Sequence, residues 1–291
     1  MSGKFFLVLV MSSSFLSQSG YAEQFSRVER GKYLFITSDC IGCHGNRSDE
    51  SPSGGRALET PFGVFYAPNI SSNPDFGIGK WSNADFIKAM RHGVRPDGEH
   101  LFPVFPYPSY SGLTDEDMSA IKEYLWTLPP SAAPNRSHEI KFPFRYRSLM
   151  AVWKLLFFKS GPLVDLPEKS PQWNRGRYLV QAVAHCTECH TPRNSLTGVL
   201  DHHQELSGNI NGPDGMNAPN ITPDSETGIG QWTEKEIMQL LKTGETPDFD
   251  LVSSGMTSVI RGTKILTDED RQAIAVYLKD LKPIRSKAIK K

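Results

Sequence analysis

Cys40-Ile41-Gly42-Cys43-His44 stands near the start of this 291-residue chain, and Cys186-Thr187-Glu188-Cys189-His190 repeats it past the middle. The chain has four cysteines, and these two stretches use all of them. Two thiols three positions apart on a helical turn reach the two vinyl groups of one haem, and the histidine that follows points its imidazole at the iron. The spacing reads as c-type haem attachment. The expected cofactors are therefore two covalently bound haem c groups, held by Cys40, Cys43, Cys186 and Cys189, with His44 and His190 as the proximal iron ligands.

The flanks of the two motifs repeat as well. Arg30-Gly31-Lys32-Tyr33-Leu34 precedes the first motif and Arg175-Gly176-Arg177-Tyr178-Leu179 the second. Ala67-Pro68-Asn69-Ile70 matches Ala218-Pro219-Asn220-Ile221, and Gly77-Ile78-Gly79 with Trp81 matches Gly228-Ile229-Gly230 with Trp232. Leu113-Thr114-Asp115-Glu116-Asp117 returns as Leu266-Thr267-Asp268-Glu269-Asp270. The order never breaks, so the chain reads as two homologous domains, over 23–130 and 173–291. Thr233 with Glu236 forms a capping box that opens a helix to about Leu241. Ser82 with Asp85 opens another to about Arg91. Thr114 and Thr267 precede acidic residues, which favour a helix N-terminus. Met118, Ile121, Leu125 and Leu128 share one helical face, as do Ile274, Tyr277, Leu278 and Leu281. No alternating strand run stands out. The expectation is all-α: two small helical bundles with long Gly/Pro-rich loops, in which a buried porphyrin supplies apolar mass.

Residues 1–22 read as a signal peptide: Lys4, then the apolar run from Phe5, then Gly20-Tyr21-Ala22 as a cleavage site. That implies a periplasmic protein, soluble or peripherally attached to the membrane. Apolar content of 38% and charged content of 22% are those of ordinary globular material. The formal net charge is zero, which gives no field for nucleic acid. No triad, P-loop or dinucleotide fingerprint is present. A linker over 131–172 begins Pro-rich and holds an apolar stretch around Trp153. Either this stretch packs against the domains, or it is a docking face for a partner subunit or the membrane surface.

The carbonyl oxygens of Pro68 and Pro219 are candidate acceptors for the second ring N–H of the two histidines; otherwise each proline shapes a turn. Met256 lies twelve residues past Gly244. It is read as a loop residue, Gly255-Met256-Thr257, before the last helix, and as the sixth ligand of the second iron, which would raise its potential. Met216 is the alternative, set aside for its closeness to the Pro219 turn. The same step from Gly93 reaches Phe105, which cannot bind iron. The first iron then takes His100 or His92, or stays open. Met90 and Met118 read as core, and Asp201-His202-His203 as a solvated loop. Arg56 and Arg193 either pair with propionates or lie on the surface. Trp81 and Trp232 either pack on the haem edges or close the core.

These residues, with Trp173-Asn174-Arg175-Gly176, Thr191-Pro192-Arg193-Asn194 and Trp153 to Phe158, resemble the cytochrome c subunits of membrane-associated dehydrogenases that face the periplasm, such as the alcohol and gluconate dehydrogenase complexes. The resemblance implies tandem cytochrome c domains and electron transfer from a partner dehydrogenase to a downstream cytochrome, oxidase or quinone. The third domain of the three-haem members is not expected here, and Phe105 departs from the Met-bearing form. Two other readings stand beside it. One is a haem enzyme, a di-haem peroxidase or sulfur-compound dehydrogenase, using an open first haem. The other is a haem-free dithiol protein.

Overall fold

The computed structural model describes residues 26–45, 51–212, 215–252 and 254–286. The signal peptide expected at 1–22 lies outside them. In the first half, α1 (Arg27–Thr37) runs into α2 (Cys40–His44), the haem motif itself. Strands β1 (Ala57–Thr60) and β2 (Gly63–Tyr66) follow, then α3 (Asn83–His92), the short α4 (Tyr107–Tyr110) and α5 (Asp115–Leu125). The connecting segment contributes β3 (Glu139–Ile140) and α6 (Leu149–Phe157). The second half starts with α7 (Pro171–Tyr178), which passes through a π-helical turn at Leu179–Val183 into α8 (Thr187–His190). Then come α9 (Glu234–Thr243), α10 (Ser254–Thr263) and α11 (Asp268–Lys279).

The helix starts follow local chemistry. Ser82 with Asp85 and Thr233 with Glu236 form complete capping boxes, and Thr114 and Thr267 cap α5 and α11 by accepting from Asp117 N and Asp270 N. Met118, Ile121 and Leu125 of α5 and Ile274, Tyr277 and Leu278 of α11 are buried. Leu128 and Leu281 lie past the helix ends and pack on the core from there.

In each half the first helix crosses the last through a glycine. A Cβ on Gly31 would stand 1.9 Å from Ala120 O, and one on Gly176 1.9 Å from Ala273 O. The backbones touch there, and no flexible atom can yield. Gly176→Ala gains about 1 kcal/mol in helix propensity but overpacks a backbone crossing at a cost of about 3 kcal/mol. Net destabilisation of about 2 kcal/mol is expected, read as a lower midpoint in chemical denaturation.

The all-α expectation needs correction. The first half carries a three-stranded antiparallel sheet in the order β1-β2-β3, with Thr60 opposite Gly63 and Val64 opposite Glu139. The strands are two to four residues long, so no alternation builds up, and β3 comes from the segment read as linker. That segment also returns to the first half through Ser131 O and Ala133 O, which accept from Asn69 Nδ2 at 2.9 and 3.0 Å. Ile284 O, after α11, accepts from Asn220 Nδ2 at 2.7 Å in the equivalent way.

One apolar core runs through both halves, from Leu34 and Phe35 to Tyr277 and Leu278. Trp81 and Trp232 pack against it, and Met90 and Met118 are buried within it. A second small core joins Phe65 and Phe102 to Met150 of α6. The halves also exchange polar contacts. Tyr33 of the first donates to Asp270 Oδ2 at 2.6 Å, and Tyr178 of the second donates to Asp117 Oδ2 at 2.5 Å. Each hydroxyl also accepts the backbone N–H of the opposite cap residue, Thr267 or Thr114, at 3.2 Å.

Candidate haem sites

Both motif histidines are anchored identically. His44 Nδ1 lies 2.8 Å from Pro68 O, and His190 Nδ1 lies 2.7 Å from Pro219 O. A carbonyl only accepts, so Nδ1 carries the proton and Nε2 keeps its lone pair, the tautomer a metal requires. Desolvation lowers both imidazole pKa values, and the carbonyl bond opposes it. The prolines thus act as acceptors as well as turn residues.

A second clamp holds each motif from the other side, and sequence reading missed it. Gly54 N–H donates to His44 O at 2.8 Å, and Gly208 N–H donates to His190 O at 2.7 Å. Both glycines have positive φ, 76° and 95°. A Cβ on Gly54 would stand 2.4 Å from the Pro68 carbonyl carbon, and one on Gly208 2.9 Å from Asn220 N. Only glycine lets the loop that carries the proline approach this closely. The signal available in the sequence was the pair of glycines ahead of the two Ala-Pro-Asn-Ile stretches.

The thiols are free of disulfides. Burial pushes the Cys40 thiol up strongly, the Cys186 thiol to about 12 and the Cys189 thiol to about 11. Redox-active dithiols show the opposite shift. Paired thiols beside an imidazole with a free Nε2 make a donor set that fits covalently held haem c. Arg56 and Arg193 do something neither reading foresaw: each donates back into its own motif, Arg56 to Gly42 O and Arg193 to the carbonyl and carboxylate of Glu188.

The segments that lead into the two motifs meet between the halves. Asp39 and His185, at the same step of the repeat, both adopt left-handed backbone, φ 48° and 40°. His185 Nε2 lies 3.2 Å from Ser38 O, and the Tyr110 hydroxyl donates to that same oxygen at 3.3 Å. Ser109 Oγ donates to Oε1 of Glu188, a residue inside the second motif, at 2.6 Å.

The sixth-ligand residues fall out unevenly. Met256 is half-buried in the first turn of α10, so the loop expected there is helix. Met216 Sδ lies 2.4 Å from where a Cβ on Gly255 would stand, so this thioether reaches the residue next to Met256 at the start of α10. Phe105 packs on the core between Tyr107 and Tyr110, at ring distances of 6.5 and 5.6 Å. His92 is exposed, and His100 turns its Nδ1 to Lys154 Nζ at 3.1 Å. Asp201, His202 and His203 are exposed, and no cluster of three or more metal-ligating side chains occurs among the described residues.

Comparison with known proteins agrees with this arrangement. A diheme cytochrome c-type protein of Cereibacter sphaeroides is 43% identical over 256 residues, which cover 86% of this chain and 84% of that one. The cytochrome c subunit of gluconate 2-dehydrogenase from Pantoea cypripedii is 37% identical over 288 residues, or 96% of this chain. The cytochrome c subunit of a quinone alcohol dehydrogenase from Gluconacetobacter polyoxogenes is 35% identical over 287 residues, or 94% of this chain. The chain spans only 65% and 60% of those two dehydrogenase subunits. The sequence model of cytochrome c matches twice, at residues 28–129 and 174–282, once around each clamped histidine, and the chain therefore belongs to the cytochrome c family.

Proposed function

We propose that the protein is an exported di-haem electron carrier, with one haem c on Cys40, Cys43 and His44 and another on Cys186, Cys189 and His190. It receives electrons from a partner dehydrogenase in the periplasm and passes them to a downstream cytochrome, oxidase or quinone. The observation that carries the reading is the duplicated histidine clamp, with the segments that lead into both motifs meeting between the halves. Each iron supplies reversible one-electron chemistry. The chain's part is to hold each imidazole rigid and to keep the two sites in one folded unit.

The difference between the sites gives the transfer a direction. A thioether from Met256 raises the potential of the second site, while Phe105 offers no ligand to the first. Met256→Ala is expected to lower the more positive of the two midpoints in a potentiometric titration. The reduced variant is also expected to bind carbon monoxide at the second site. An unchanged midpoint would pass the ligand role to Met216. Carbon monoxide binding by the unmodified reduced protein together with rapid peroxide turnover would favour the haem-enzyme reading over the carrier.

A further inference from the structure

The same loop follows α3 in the first half and α9 in the second, closed by the same backbone hydrogen bonds. Gly93 O accepts from Leu101 N at 2.7 Å, and Gly244 O accepts from Val252 N at 2.9 Å. Arg95 O accepts from Gly98 N and Thr246 O from Phe249 N, both at 3.0 Å. Matched in this way, Thr246 stands for Arg95, Phe249 for Gly98 and Leu251 for His100, while Asp248 and Asp250 repeat the acids of Asp97 and Glu99. The tip residue has φ 86° at Gly98 and 63° at Phe249. Glycine takes that conformation freely, whereas a bulky side chain is strained in it.

The first copy of the loop is neutralised and covered. Arg95 pairs with Asp97 at 2.8 Å and with Glu99 at 3.0 Å, and Arg147 of the connecting segment reaches Glu99 at 3.4 Å. Arg147 also donates to His100 O at 2.9 Å, Lys154 donates to Gly93 O at 2.6 Å, and Phe102 is buried with Met150 of α6. The second copy differs on both counts. No Lys or Arg occurs between Lys242 and Arg261, where Glu245, Asp248 and Asp250 lie. Phe249 and Leu251 are 84% and 78% exposed, and Asp248 and Asp250 are exposed beside them. Five residues past Leu251 comes Met256, so the tip stands next to the expected ligand of the second iron.

Transient redox contacts bury little area and rely on charge to steer the approach. An apolar tip among carboxylates is one half of such a contact. Anionic lipid is repelled by these charges, and an uncharged quinone gives them nothing to hold. Their complement is a protein face with an apolar centre and a basic rim. We infer that the tip at 245–251 is where the electron acceptor docks, and that the acceptor is a small redox protein whose exposed cofactor edge is ringed by lysines. The inference rests on the electron-carrier reading with the second site as the exit, and it selects a soluble protein over quinone as the next carrier.

The test mixes reduced, haem-loaded protein from a cytochrome-maturing host with an oxidised lysine-rich cytochrome c in a stopped-flow instrument. The same cytochrome with its lysines acetylated, which removes their charge, is the matched control. Benzoquinone, small and uncharged, reports on the haems alone. Transfer to the lysine-rich cytochrome is expected to slow steeply with salt, and transfer to the acetylated one to be at least about tenfold slower at low salt. Asp248→Asn with Asp250→Asn is expected to cost about tenfold at low salt and to flatten the salt dependence. Phe249→Gly restores the residue of the first copy and relieves the backbone, so it keeps the thermal midpoint and the benzoquinone rate, yet slows transfer to the cytochrome by about tenfold. Parent-like rates in both variants, or equal rates with the two cytochromes, would overturn the docking site; the carrier reading survives that result if benzoquinone still oxidises the haems. Haems that no oxidant reaches would overturn the carrier reading and the docking site with it. A dimer of the parent that Phe249→Gly dissolves would also overturn the inference, assigning the tip to a second copy of the chain.

Discussion

Replacing Cys186 and Cys189 together by alanine is expected to lower the intact mass of the mature protein by one haem and to leave the first site loaded. Covalent attachment is the only link that survives denaturation, so a haem-stained denaturing gel and mass spectrometry both read it. Cys40→Ala with Cys43→Ala is the mirror experiment, with the same loss from the other half. A single replacement, such as Cys189→Ala, leaves one thioether and a weakened site rather than an empty one. The effect extends beyond the cofactor. Motif helix α8 is four residues long, two clamps hold it, and the porphyrin expected on it would add apolar mass to this half. Without that apolar mass the second half is expected to expose core and bind a hydrophobic dye. Masses that differ from the parent only by the two lost sulfur atoms in both double variants would refute haem attachment altogether.

Asp270→Ala is expected to have the largest effect on stability, because one carboxylate serves both halves. It accepts from Arg175 Nε at 2.8 Å and Nη2 at 2.7 Å, and from the Tyr33 hydroxyl across the boundary. Its side chain is 12% exposed. Removing it strands a guanidinium and a phenol, at a cost of about 3 kcal/mol, the low end of the range because the Arg175 side chain is 34% exposed. That corresponds to a fall of roughly 6–12 °C in thermal midpoint. Asp270→Asn checks the charge. Burial raises the Asp270 pKa, but the Arg175 hydrogen bonds and charge, with the Tyr33 hydroxyl, outweigh it and hold the carboxyl below its usual value. A depressed folded pKa means this stabilisation is complete above the unfolded value of about 3.9 and is lost as pH falls through the folded one. The parent should therefore lose stability in acid more steeply than Asp270→Asn. The phenols act at the other end. Burial, with their carboxylate partners, raises Tyr33 and Tyr178 well above 10, so their contribution persists until strongly alkaline pH.

Local chemistry was legible in the sequence. Ser82, Thr114, Thr233 and Thr267 each cap the helix expected of them, because a cap is decided within four residues. The motif histidines and their proline acceptors were legible because the repeat showed them twice. What escaped depends on partners far along the chain. The sheet needs Glu139 to come back to Val64. Tyr33 reads as a helix residue of its own half until the fold brings it to Asp270, 237 positions away. Arg193 reaches the Glu188 carboxylate inside the motif, a partner that the first copy, with Gly42 at that position, does not have. The apolar character of α6 was plain, but which side faced outward was not, since that is set by His92 and Gly93 offering their carbonyls to Lys154.

The crossed tyrosine contacts carry one more consequence. Each half owns one hydroxyl that donates across and one carboxylate that accepts from the other half. Two separate copies of either half would meet through the same exchange, related by a two-fold rotation. Joining them in one polypeptide fixes the stoichiometry and frees the pairing from dilution. It also lets positions that a homodimer must keep alike drift apart, as Phe105 and Met256 have done.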